Sequence, residues 1–475
     1  MQKIDSIYIN GEFVTPHGEE RFTLFNPATE DVIGTVRLAD EVDAERAIAA
    51  AKAAFPYWSK TSKAERLAVL RRMHKAVMAR EDELMDAVVM EYGAPKIRGR
   101  WMASYPADAI AQAIDALENF EFTEQAGKAQ VIMTPVGVAG LITPWNSDAG
   151  FICNKLATAM AAGCTAVIKP SEMSAMQTRV ITEALHDAGI PAGVFNIITG
   201  RGEVVGEVIN RHPDIAKISF TGSTAVGKHI VESGAESLKR VTLELGGKSP
   251  TLILDDADVM QAVPLALAAG FMNSGQACIA GTRILVPRSR QAEFEQAIAD
   301  AVGKVRSGDP RDENTEIGPM VSQKQWQRVQ DYIRLGEEEG ATLLVGGVGR
   351  PSGMDKGWCV KPTVFAGNNR MRIAREEIFG PVLVIIPYDN EAEALAIAND
   401  TAYGLSALVL SGDRERGVRV AQQIDSGRVL LNTLDHEPKA PFGGFKQSGL
   451  GREMGKWGMQ AYLEAKDRKS TRLNS

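Results

Sequence analysis

The sequence predicts an α/β protein built from two parallel-sheet units. Three observations carry this. Short β-branched runs alternate with helical segments from residue 136 onward, which is the pattern of βαβ crossovers. The alternation resumes as a second series near Thr251. Finally, 475 residues, at roughly 150 per domain, supply material for about three domains.

Before the alternation begins, residues 43–54, 63–80, 81–92 and 101–120 place apolar side chains at three- and four-residue spacing and read as helices. Strands at 136–142, 165–168, 194–198, 216–220 and 240–245 then alternate with helices at 155–163, 176–188, 203–211 and 223–238. This order implies a parallel sheet covered by helices on both faces, and dinucleotides commonly bind at the carboxyl ends of such strands. The second series runs strand 251–254, helix 259–273, strand 283–286 and helix 291–304, with further strands at 341–345, 382–386 and 405–410. The polar neighbourhoods 244–248 and 273–278 flank the junction between the two series. Their position points to a site in a cleft between domains. No repeat that would build a solenoid is visible.

Composition narrows the function. The chain is 44% hydrophobic with a formal net charge of −7, which leaves no electrostatic footprint for nucleic acid or an anionic membrane. Its 45 glycines stand mostly singly, unlike those of a linker or a low-complexity tract. Cys153, Cys164, Cys278 and Cys359 are too scattered for a disulfide framework, and none has the CxxC spacing of a zinc site, so no metal is expected. The amino terminus shows no export signal. The longest uncharged stretch, between Lys128 and Asp148, is broken by Pro135, Gly137, Gly140 and Pro144 and cannot form a bilayer-spanning helix. A cytoplasmic protein with neither a nucleic-acid nor a membrane partner is expected.

Several segments could carry chemistry. Phe220-Thr-Gly222-Ser223 leads a strand through a glycine into a helix start capped by a hydroxyl, an arrangement that offers free N–H groups to a phosphate; an ordinary strand-to-helix turn has the same look. Lys169-Pro-Ser171-Glu172 ends a strand where an adenosine ribose would lie, and a carboxylate there would repel a 2′-phosphate. Gly202 and Gly206 open another helix. Cys278 sits among small and polar residues, as a nucleophilic thiol would, although buried inert cysteine is the commoner fate. Glu244 is a carboxylate within an apolar strand, where burial would raise its pKa toward the range of a general base. Asn146 lies just past a strand end, where its amide could donate to a developing oxyanion.

Taken together and in order, these segments resemble the aldehyde dehydrogenase superfamily from about Ile9 to Lys466. The marks are Thr143-Pro-Trp-Asn146, Lys169-Pro-Ser-Glu172, Phe220-Thr-Gly-Ser-Thr224, Glu244-Leu-Gly-Gly-Lys248, Gly275-Gln-Ala-Cys278, Glu377-Ile-Phe-Gly-Pro381 and Pro441-Phe-Gly-Gly444. The resemblance implies an NAD-dependent enzyme that oxidises an aldehyde to the carboxylic acid. It implies three parts: a parallel-sheet dinucleotide-binding domain (1–118 and 136–246), a second α/β catalytic domain (247–454), and a small bridging β element for oligomerisation (119–135 and 455–475). A homodimer or homotetramer follows from the same likeness.

By the same resemblance, Cys278 is the nucleophile, Glu244 the general base and Asn146 an oxyanion donor with the Cys278 N–H, while Lys155 and Glu453 relay protons. Lys169, Ser171 and Glu172 would hold the adenosine ribose, and Ser223 the pyrophosphate. Ile142, Pro144, Trp145, Gly202, Gly206, Phe220, Gly222, Leu245 and Gly246 would line the rest of the cofactor site, with Glu377 and Phe379 at the nicotinamide end. NAD is expected in preference to NADP. Glu244 favours hydrolysis of the thioester over transfer to coenzyme A; an acyl-CoA-forming enzyme and a catalytically silent dinucleotide-binding relative are the alternatives.

Two departures from the family pattern stand out. Ser147 occupies a position that is often aromatic in relatives, and the expected substrate lining of Ser147, Asn154, Ala277, Ile279, Asp435, His436 and Phe442 is largely polar. After Glu464-Ala-Lys466, residues 467–475 are polar without strand alternation, so the family's last strand is expected to be cut short there.

Overall fold

The computed structural model describes residues 1–468 and contains four sheets. Across the largest, the strands run Gly449–Leu450, Arg240–Glu244, Ile215–Thr221, Val138–Ile142, Thr165–Lys169, Phe195–Ile197, Ile7–Ile9 and Glu12–Val14. The five central strands are parallel, and those at either side are antiparallel. Val138–Ile142 and Thr165–Lys169 are buried at every position, because helices cover both faces. From Val138–Ile142 the chain builds outward in one direction, then returns to place Ile215–Thr221 on the other side of the same strand. That reversal opens a crevice beyond the carboxyl ends of the two neighbours, the usual place for a dinucleotide.

The second sheet runs Thr342–Val345, Thr363–Ala366, Val382–Tyr388, Arg283–Pro287, Pro250–Ile253, Ser406–Leu410 and Arg428–Leu431, all parallel except the first. A third sheet joins Gln2–Ile4, Val32–Arg37 and Arg21–Phe25. A fourth, antiparallel, joins Leu463–Arg468, Ala129–Pro135 and Thr123–Ala126. The expected end of the chain's last strand near Lys466 is corrected. Asp467 and Arg468 pair with Val131 and Gln130, and their polar side chains face outward because only Leu463 of this strand is buried. The rest of the tail, 469–475, lies outside the described residues. Among the described residues, no helix is long and apolar enough to cross a membrane.

Two helical expectations change in ways that matter for the site. The helix expected over 259–273 stops at Gly270, because Asn273, Ser274 and Gly275 take left-handed φ angles of 55°, 59° and 74°. The helix expected over 155–163 begins earlier, at Asp148, directly behind the Trp145–Ser147 turn, so that turn is anchored to a rigid element. Residues 81–92 are helical as Glu81–Ala87, and a π turn, Val88–Tyr92, follows and closes on Gly93.

Candidate active site

The turn before Cys278 is strained and heavily tied. Left-handed backbone at a residue other than glycine costs about 1–3 kcal/mol, and Asn273 and Ser274 both adopt it. Gly275 has no alternative: a Cβ there would sit 2.2 Å from the Gly380 carbonyl carbon. Side chains hold the arrangement. The Asn273 amide donates to the carbonyls of Asn146 (3.1 Å) and Gln276 (3.2 Å), and the Ser274 hydroxyl accepts from the Gly318 N–H at 3.0 Å. Buried Gln276 donates to the Tyr92 hydroxyl (3.2 Å) and accepts from the Val321 N–H (3.0 Å). Asn146 donates one of its two amide N–H groups to the Gln276 carbonyl at 3.0 Å. The expected oxyanion donor and the expected nucleophile therefore share one hydrogen-bonded frame.

Cys278 is partly exposed, whereas Cys153, Cys164 and Cys359 are buried. Desolvation pushes the Cys278 thiol up to about 12, with the neighbouring Glu377 and Glu244 carboxylates adding to the effect and Arg428 opposing it. A resting thiolate, which nucleophilic attack requires, is thus disfavoured and a base is needed. Glu244 ends the strand Arg240–Glu244, is 2% exposed, and neither of its carboxylate oxygens has a hydrogen-bond partner. Burial, with the Glu453 charge, holds its pKa well above the usual carboxylate range. The glycine pair after it lets the backbone thread a tight space. A Cβ on Gly247 would lie 2.1 Å from the Cys278 carbonyl oxygen, and one on Gly246 would lie 2.5 Å from a Glu377 oxygen.

Beyond Glu244 lies a buried polar cluster. Lys155 Nζ is 2.5 Å from Glu453 Oε1 and 3.0 Å from the Ser219 hydroxyl, which itself donates to Glu453 at 3.1 Å. The Asn154 amide donates to the other Glu453 oxygen at 3.3 Å, so this side chain is turned toward the Lys155 cluster. The Ser147 hydroxyl is buried without a partner. Asp148, next in sequence, accepts from the hydroxyls of Thr143 (2.6 Å) and Thr178 (2.8 Å), and burial lifts its pKa to about 7.

The crevice at the strand reversal collects the expected cofactor residues. Ile142, Pro144 and Trp145 leave one strand; Phe220, Gly222 and Ser223 leave its neighbour, and the Ser223 hydroxyl caps the helix Thr224–Gly234 through the Val226 N–H at 3.3 Å. Lys169 Nζ donates to the Gly200 carbonyl (3.0 Å) and lies 3.7 Å from Glu172. The Ser171 hydroxyl caps the short turn that carries Glu172. At Gly202 nothing lies within 4 Å of where a Cβ would stand, whereas a Cβ on Gly206 would make ordinary contact with Lys169. Leu245 packs against Gly227. Opposite, Glu377 accepts from the Gly247 N–H at 3.1 Å, and the Phe379 ring meets Trp145 edge-on at 5.4 Å. A helix start with free N–H groups, a lysine–glutamate pair at the second strand end and two converging aromatic rings together fit a dinucleotide.

Three residues that the sequence reading left without a role shape this end. Gln325 donates to the carbonyls of Ile378 and Phe379 (3.2 and 2.8 Å), and Arg328 donates to that of Glu377 at 2.6 Å, which together hold the left-handed Phe379. Arg201 donates to Glu172 at 3.2 Å. No local spacing announces them, because their partners are distant in sequence.

On the other side of Cys278, the Arg428 guanidinium lies 6.0 Å from the centre of the Phe442 ring and 3.5 Å from His436 Nδ1. His436 also meets Phe442 edge-on at 6.2 Å and lines a surface groove of about 980 Å³ with Trp101, Tyr105 and Trp457. Asp435 is exposed beside it; Ala277 and Ile279 flank the thiol in sequence. Among the described residues, no group of three His, Cys, Asp or Glu side chains is arranged to hold a metal ion.

Comparison with known proteins gives a consistent picture. A family model described as the aldehyde dehydrogenase family matches residues 13–467. A 3-succinoylsemialdehyde-pyridine dehydrogenase from a Pseudomonas species is 44% identical over 469 residues, covering 98% of each chain. Among solved structures, an aldehyde dehydrogenase mutant of Pseudomonas syringae, in complex with NAD+ and octanal, matches with a TM-score of 0.96 and 44% identity over 98% of this chain and 96% of that one. A Mycobacterium tuberculosis aldehyde dehydrogenase in complex with NAD+ also matches with a TM-score of 0.96, at 39% identity over 100% of this chain and 99% of the other.

Proposed function

The chain belongs to the aldehyde dehydrogenase family, whose reaction is aldehyde oxidation, and from that premise we propose that Cys278, Glu244 and Asn146 carry its chemistry with NAD as the coenzyme. The observation that carries the reading is the buried Glu244 carboxylate, which has no hydrogen-bond partner and whose charge acts on the one partly exposed thiol. A carboxylate left without partners in a dry site is a strong base for whatever proton donor enters.

Glu244 takes the proton of the Cys278 thiol and gives it up to the Lys155–Glu453 cluster behind it, the sulfur adds to the aldehyde carbon, and the carbonyl oxygen becomes an oxyanion facing the free N–H of the Asn146 amide. NAD, when bound, would supply the acceptor for the hydride that leaves that carbon. A thioester on Cys278 remains, and Glu244 takes a proton from the water that hydrolyses it. Lys155, Ser219 and Glu453 form a buried hydrogen-bonded chain suited to passing that proton onward.

Ile142, Pro144, Trp145, Lys169, Ser171, Glu172, Gly202, Gly206, Phe220, Gly222, Ser223, Leu245, Gly246, Glu377 and Phe379 are the proposed cofactor residues. NAD is preferred to NADP through the Glu172 charge. Ser147, Ala277, Ile279, Asp435, His436 and Phe442 are the proposed substrate lining, without Asn154, whose amide donates to Glu453, and the polarity of Ser147, Asp435 and His436 favours an aldehyde with a polar or heteroaromatic portion. The proposed domain division at residues 118, 135, 246 and 454 follows the sheets except at Gly449–Leu450, which crosses over to pair with Arg240–Glu244 in the first sheet. The sheet Leu463–Arg468, Ala129–Pro135, Thr123–Ala126 has two open, largely exposed edges, which supports a homodimer or homotetramer that covers them. Four free thiols suit a reducing, cytoplasmic setting. The test is NADH formation across aldehydes graded in length, charge and aromaticity, with the Cys278→Ala protein alongside.

A further inference from the structure

The two relatives at 44% identity differ in the aldehydes for which they are named or with which they were crystallised: one carries a succinoyl-pyridine, the other is an unadorned alkanal. Side chains near Cys278 must therefore decide for this chain, and one of them is a charge without a counter-charge. Arg428 begins the strand Arg428–Leu431 and is half-buried. Its Nε and Nη2 donate to the Ser406 hydroxyl at 3.2 Å each, and Nη1 lies 3.5 Å from His436 Nδ1. Among the described residues no carboxylate is paired with it. A guanidinium has five N–H groups, so these three contacts leave two unengaged.

The location gives that vacancy a meaning. Arg428 touches Phe442 and His436, His436 opens onto the groove beside Trp101 and Trp457, and the guanidinium charge acts on the Cys278 thiol. Gly427, the residue before Arg428, packs against the Gly443 carbonyl, and Gly443 packs against Glu244, so this cation stands beside the proposed base. A partly desolvated arginine with free N–H groups is matched best by a carboxylate, which accepts two hydrogen bonds from the planar fork and neutralises the charge.

Resting on the reading of Cys278 as nucleophile, we propose that Arg428 is a specificity residue that binds the far carboxylate of a short ω-oxo acid, making such semialdehydes the preferred substrates.

The experiment compares kcat/KM for ω-oxo acids of four to six carbons with n-alkanals of the same length, in the wild type and in Arg428→Met and Arg428→Lys. The wild type should favour the oxo acids, and the ratio should fall by about tenfold or more in Arg428→Met, the scale of a lost charge-assisted hydrogen bond, mainly through KM. Arg428→Lys should keep part of the preference. In the wild type alone, succinate should inhibit alkanal oxidation competitively with the aldehyde, and succinamide should not. An unchanged ratio in Arg428→Met, a wild type that favours alkanals, or equal inhibition by succinamide would overturn the assignment. So would a uniform loss on both substrate classes, which would make Arg428 a residue that tunes the thiol. Absence of NADH formation with every aldehyde would instead strike the underlying reading of the site.

Discussion

The side-chain amide of Asn273 donates to the backbone carbonyl of Asn146 at 3.1 Å, tying the turn before Cys278, the proposed nucleophile, to the loop that carries the proposed oxyanion donor. Because Asn273 also holds the Gln276 carbonyl, to which the Asn146 amide is bonded, its loss should misplace the donor. Asn273→Asp keeps the shape but removes the donors, and Asn273→Gly keeps the left-handed backbone without a side chain. Both should lower kcat by about tenfold or more with little change in KM for NAD, and the glycine variant should melt no earlier than the aspartate one. Steady-state kinetics with thermal melts checks this. A normal kcat in both variants would show that the tie is dispensable.

Glu244→Gln separates hydride transfer from hydrolysis. With excess NAD and aldehyde it should give a burst of NADH close to one per site, slowed because the thiol has lost its base, then turnover slowed by about a hundredfold or more. Stopped-flow absorbance with mass detection of acylated Cys278 decides it. Loss of the burst itself would make Glu244 indispensable before hydride transfer.

Because desolvation raises the Cys278 thiol to about 12, the neutral form dominates below that value and the thiolate grows as pH rises. Alkylation of the cofactor-free protein by iodoacetamide should climb by roughly tenfold per pH unit to about pH 10 without levelling. A plateau near neutrality would mean a resting thiolate. Cys278→Ala should abolish oxidation and keep NAD binding, while alanine at Cys153, Cys164 or Cys359 should leave activity in place.

Glu172 is flanked by Lys169 and Arg201, so the negative charge that would repel a 2′-phosphate is held between two cations. Glu172→Ser should raise kcat/KM for NADP by about tenfold or more and lower it for NAD. An unchanged ratio of the two coenzymes would place Glu172 away from the ribose.

Two glycines should behave oppositely. Gly247→Ala forces a Cβ against the Cys278 carbonyl and should cost both stability and activity. Gly202→Ala meets nothing in the protein, so its melting temperature should hold while KM for NAD rises if the cofactor lies over it. An unaffected KM would move the cofactor off this loop.

The central strands and their helices were legible because apolar runs bounded by glycine and proline need no tertiary information. Thr165–Lys169 and Arg283–Pro287 fall within one residue of their expected bounds. The turn before Cys278 was not legible: an apolar helical run gives way to three left-handed residues only because Gly380, Gly318 and Asn146 surround them. Gln325 and Arg328 were hidden for the same reason, since each acquires its role from the loop at residues 377–379, and Arg428 was hidden because a charge at a strand start reads as solvated until Ser406, His436 and Phe442 close around it. Glu244 stood out early because a carboxylate inside an apolar strand violates local patterning.

The pairing of Lys155 with Glu453 spans 298 residues, and the outer side of the strand that ends in Glu244 is closed by Gly449 and Leu450. Synthesis proceeds from the amino end at roughly 5–20 residues per second, so a ribosome that has just delivered Cys278 needs roughly ten seconds or more to deliver Glu453. During that interval the nascent chain holds a thiol and a carboxylate with no relay behind them and an unfinished sheet edge. Hydrolytic turnover by the proposed route is thereby confined to molecules complete at least to Glu453.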